Sequence, residues 1–156
     1  MIYIYNEVDT MIPALLFLFI TCCYAHPAMV YNHTLSGTTV CSSTSALAKN
    51  LVVTLSTDTP TKGEIVSTIF DFDLDVPITG GTAYYSATLN GFPYTSQALL
   101  CDETLKSGDP CPLLVGHHHQ VSTSENSVSG KLVVKITWND PSGTEILCTQ
   151  ITTKTA

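Results

Sequence analysis

The chain has 156 residues, room for one domain with a substantial core and too few for two comfortable ones. Only 12% of them are charged, against roughly 25% in an average soluble domain, and Ser and Thr supply much of the polarity, which suits β-structure. A net charge of −7 with only six basic residues excludes a nucleic-acid partner, whose phosphates need many Lys and Arg.

The apolar run at 12–20 has signal-peptide length, and Cys23-Tyr24-Ala25 places small residues where a signal peptidase cuts. A signal peptide at 1–25 is therefore expected, with cleavage after Ala25. The run is too short for a spanning helix. Glu7 and Asp9 stand where a basic region belongs, and a start at Met11 would omit both. Loss of 1–25 takes away Glu7 and Asp9, giving −5, and takes away Cys22 and Cys23. Cys41, Cys101, Cys111 and Cys148 then remain, in an oxidising compartment. They allow three connectivities. Cys101 with Cys111, closing a short turn, and Cys41 with Cys148, tying the ends of the domain, is the favoured one. Residues 26–40 read as an amino-terminal extension, and Asn32-His33-Thr34 is an N-glycosylation acceptor at Asn32.

The first strand is expected over 47–56, ending in the turn Thr57-Asp58-Thr59-Pro60-Thr61-Lys62-Gly63. Over 65–76, Val66, Thr68, Phe70, Phe72, Leu74 and Val76 alternate with a row that includes Asp71, Asp73 and Asp75. The carboxylate row resembles the start of a calcium loop, but Val76 occupies the position where that loop needs Gly, so it reads as a solvated strand face. Two strands follow at 82–89 and 92–100, joined by Asn90-Gly91, the strongest short hairpin signal. Tyr85, Ala87 and Leu89 are expected inward. Cys101 and Cys111 bracket a polar loop with Gly108 and Pro110, read as a loop stapled between strands. Another strand is expected over 113–121. There His117 and His119 share a face and His118 points away, so no more than two could bind one ion locally, and no metal site is expected. Leu132, Val134, Ile136 and Trp138 alternate over 131–138, and the turn 139–143 leads to a last strand at 144–152. This is an all-β pattern of about seven antiparallel strands, with no helix signal after the leader, as in an immunoglobulin-like sandwich. No nucleophile elbow, phosphate loop or H-E-x-x-H occurs, so an enzyme is not expected and no cofactor is implied.

Cys41, Pro60-Thr61-Lys62-Gly63-Glu64, Gly80-Gly81, Cys101-Asp102, Cys111-Pro112-Leu113 with Gly116, and Ile146-Leu147-Cys148 stand as an ordered set. In order and spacing it resembles the ML (lipid-recognition) domain family, which includes Niemann–Pick type C2-like sterol carriers and phosphatidylglycerol/phosphatidylinositol transfer proteins. The resemblance assigns 41–156 to that domain and matches Cys41–Cys148 and Cys101–Cys111 to two family disulfides. It implies a sandwich splayed around an apolar cavity, and a secreted or endolysosomal lipid-binding and lipid-transfer protein. Its partners would be a phospholipid (phosphatidylglycerol or phosphatidylinositol) or a sterol, and transiently a membrane; a monomer is expected. Val66, Phe70, Phe72, Leu74, Tyr85, Leu89, Phe92, Leu132, Val134, Ile136 and Trp138 are the candidate cavity lining. The family's additional amino-terminal disulfide has no counterpart here, which favours the phospholipid branch. The alternative is a secreted immunoglobulin-like adhesion module with a filled core.

Overall fold

The structure, a computed structural model, describes residues 37–155. The expected leader and Asn32 lie outside the described residues. The strands are β1 (Thr38–Val40), β2 (Ala48–Leu55), β3 (Ile65–Leu74), β4 (Thr82–Leu89), β5 (Phe92–Leu99), β6 (Gly116–Glu125), β7 (Lys131–Asn139) and β8 (Glu145–Lys154), with one helix, α1 (Leu100–Lys106). They form two antiparallel sheets, one in the order β1-β8-β7-β4-β5 and the other β2-β3-β6.

Two-residue alternation decides which side chains meet between the sheets. Phe70, Phe72 and Leu74 of β3 and Ile136 and Trp138 of β7 are buried, while their neighbours in sequence are more exposed. Phe70 stacks on Trp138 with centroids 5.7 Å apart, and Phe72 meets the same indole edge-on at 6.2 Å. These contacts set β3 against β7. Burying each such ring removes about 1.5–3 kcal/mol of unfavourable hydration.

Turn chemistry fixes the registers. Asn90 and Gly91 both have positive φ, 51° and 88°, as the two-residue turn between β4 and β5 requires, and Leu89 pairs with Phe92. In β2 the pairing with β3 shifts between Lys49 and Val52, around Asn50 at φ 54°. This bulge re-aims the strand, so that Val53 is buried and Val52 exposed. Gly81, at φ 140°, has no room for a side chain, because a Cβ would collide with the Asn139 carbonyl, and its own carbonyl accepts from Leu100 N–H. Gly81→Ala is expected to cost at least about 2 kcal/mol, seen as a lowered midpoint in thermal unfolding.

Two features differ from the sequence reading. β1 lies ahead of Cys41, inside the stretch read as an extension, and pairs with β8. The stapled segment is not a plain loop, since Leu100–Lys106 is helical. Leu100, Glu103 and Thr104 form its buried face, Asp102 and Glu103 lie in its first turn and Lys106 in its last, an arrangement that suits the helix dipole. Ser107 closes it by donating to the Glu103 and Thr104 carbonyls, and Gly108 leaves it at φ 85°. Only two turns long, it shows too little of the 3.6-residue period to register beside the flanking strands. Disulfides join Cys101 to Cys111, 10 residues apart, and Cys41 to Cys148, 107 apart.

Candidate functional site

The two sheets have five and three strands. β1 lies against β2 on one side, so β5 overhangs β6 on the other. The inward residues of β5, Tyr94, Ser96 and Ala98, are accordingly only half-buried. No residue of β5 along this flank is fully buried.

The inner face of the smaller sheet changes character towards that flank. Val53 of β2 pairs with Phe70, but Phe70 and Phe72 pair on their other side with Gln120 and His118 of β6. Further along, Thr68 pairs with Ser122 and Val66 with Ser124. The inward row of β6 is therefore His118, Gln120, Ser122 and Ser124, a polar margin beside an apolar core.

The stapled segment spans the flank at one end. From α1, buried Glu103 accepts from the Tyr85 hydroxyl of β4 at 2.7 Å and from Lys106 Nζ at 2.8 Å. Burial, and then the Glu103 carboxylate, push the Tyr85 phenol far above its ordinary range. From the following turn, Asp109 Oδ2 lies 2.6 Å from His118 Nδ1 and accepts from Gln120 Nε2 at 2.9 Å. His118 Nε2 faces the Leu114 carbonyl at 2.7 Å, and the ring stacks on Phe72 at 5.2 Å. One covalently closed segment thus ties β4 in the larger sheet to β6 in the smaller.

On the outer face, β6 lies beside the carboxylate row of β3. His117 Nδ1 is 3.0 Å from Asp73 Oδ1 and His119 Nδ1 is 2.6 Å from Asp71 Oδ1. Asn50 also donates to Asp73 at 2.7 Å; this bond first, and His117 second, lower the Asp73 pKa. The sequence separation of these partners hid the pairing, which strand register creates. Among the described residues no group of three or more His, Cys, Asp or Glu is placed to hold a metal ion.

Of the candidate lining, Val66, Phe70, Phe72, Leu74, Leu132, Ile136 and Trp138 are buried, and Tyr85, Leu89 and Val134 half-buried. Phe92 is 69% exposed, beside the β4–β5 turn. The sequence reading omitted Glu103, Asp109, His118 and Gln120. Parity did carry a signal for two of them, because in a strand His118 and Gln120 share the face opposite His117 and His119.

Taken together, the fold is that of an immunoglobulin-like two-sheet sandwich with two disulfides and an uncovered flank. The ML domain family model (E1_DerP2_DerF2) matches residues 37–155, and the chain belongs to that family. Among solved structures, a Niemann-Pick type C2 protein from Japanese carpenter ant superposes with a TM-score of 0.56 at 18% identity, over 76% of this chain and 98% of that one. Chicken MD-1, solved in complex with lipid IVa, superposes with a TM-score of 0.56 at 12% identity, over 75% of this chain and 86% of that one. No curated protein matches the chain.

Proposed function

We propose that the protein is a lipid carrier that holds an apolar tail between its sheets and exchanges it with membranes through the β5–β6 flank. The observation that carries this reading is the mismatch of five strands over three, which leaves the inward row of β5 half-buried beside an aromatic core. Membership of the ML family and the lipid-bound state of chicken MD-1 support it. Each methylene withdrawn from water contributes about 0.8 kcal/mol in a pocket, and a bilayer offers the same gain, so exchange can run near balance. Exposed Phe92, Leu114 and Val115 offer apolar contact to a bilayer surface. Secretion, or delivery to an acidic lumen, suits the two disulfides.

Mass spectrometry of an organic extract of the secreted protein tests this, with a stoichiometric phospholipid or sterol expected. An empty extract together with no uptake from vesicles would leave a filled-core adhesion module instead. Acidity should accelerate exchange. Without 1–25 the net charge at neutral pH is −5, which repels anionic bilayers, and acidification reduces that repulsion. Transfer from phosphatidylglycerol vesicles is expected to be faster at pH 5 than at pH 7; a flat or falling rate contradicts this.

A further inference from the structure

We propose that Gln120 is a hydrogen-bonding anchor inside the sandwich, which selects a lipid carrying a free hydroxyl over the same lipid with that hydroxyl capped. This rests on the carrier reading and adds a ligand chemistry to it. Gln120 lies in the inward row of β6 and is 1% exposed. Its amide sense is fixed, because Nε2 donates to the Asp109 carboxylate, which can only accept. Oε1 is thereby left as an acceptor, and among the described residues it has no hydrogen-bond partner.

The facing sheet offers the complementary atom. Among the described residues Trp138 Nε1 is a buried donor without a partner. Phe70 joins the two sites, since it is the strand partner of Gln120 and its ring stacks on the Trp138 indole. An unpaired acceptor and an unpaired donor, on facing sheets and each beside Phe70, both gain from a hydroxyl, which donates and accepts. A phosphate fits poorly. It brings no donor for Gln120, and the carboxylate of Asp109 stands directly behind the amide. The group read by Gln120 is therefore a neutral O–H, as in a sterol or a diacylglycerol.

The test is uptake from neutral phosphatidylcholine vesicles of two matched pairs: cholesterol with cholesteryl methyl ether, and dioleoylglycerol with its acetate. The wild-type protein is expected to favour the free hydroxyl by about tenfold in whichever skeleton it accepts, the size of one buried acceptor being satisfied. The pair that shows the preference names the source of the hydroxyl. Gln120→Leu should bring the ratio to about one, and Gln120→Met, which keeps the length without either polar atom, serves if the leucine variant does not fold. Equal wild-type uptake of hydroxyl and capped forms overturns the anchor alone, as does a preference that survives in the folded variant. Uptake of none of the four lipids, with phospholipid also refused, overturns the carrier reading beneath it.

Discussion

Replacing both Cys41 and Cys148 by serine is expected to remove about 5 kcal/mol of stability, the larger of the two disulfide losses. The bridge closes 107 residues, and in the chain-entropy account the loss grows with the logarithm of loop length. The loop between Cys101 and Cys111, with a separation of 10, gives about 3 kcal/mol on the same scale. A domain of this size has a total stability of about 5–15 kcal/mol, so loss of the long bridge alone brings much of the population near unfolding. Guanidinium unfolding of the two double variants, compared with the parent at one protein concentration, measures both. The order should be parent, then the 101–111 variant, then the 41–148 variant. The reverse order would show that the short bridge acts mainly by holding the inter-sheet contacts of Glu103 and Asp109 and not through loop entropy.

Phe72→Ala should rank next, with a loss of about 3–5 kcal/mol. Phe72 has no exposed surface, stacks on His118 and meets Trp138 edge-on. Truncation removes a ring from a place where β3, β6 and β7 meet. The surrounding strands cannot collapse far into the gap, because Phe72 is paired with His118 and the whole β3–β6 register is regular. Denaturant titration checks the loss. Fluorescence of Trp138, the single tryptophan of the sequence, should also shift as the indole loses its edge contact. A loss below 1 kcal/mol would mean that the ring faces free space between the sheets and not packed neighbours.

The sandwich was legible in the sequence for a physical reason: period-two alternation is nearly unbroken over 65–74 and 131–138, and Asn90-Gly91 fixes a turn by chirality. The strand ahead of Cys41 was not, since three residues cannot display a period and β1 owes its existence to pairing with β8. The helix at Leu100–Lys106 was masked by the Cys101–Cys111 pair that brackets its segment, which drew the reading towards a loop. The polar margin was hidden for a different reason. Sequence reasoning sends His and Gln outward by hydration, and only the turn carrying Asp109 supplies the partner that lets His118 and Gln120 face in. Cross-strand pairs such as His117 with Asp73, 44 positions apart, follow from register and leave no local trace.

Both covalent bridges fall at the same end of the sandwich, near the start of β8 and the end of β5, where Asn139 pairs with Glu145 and Thr82 with Leu99. Mechanically this is a clamp at one end of a pair of leaves. The opposite end is tied as well, since the β6–β7 connection crosses between the sheets there, with Asn126 donating to Thr155 and Asn90 to the Ser129 carbonyl, so bending should be largest along the free β5–β6 edge. On the carrier reading proposed above, a guest of variable girth would be accommodated by flexing that edge, with the rings around Trp138 left in place.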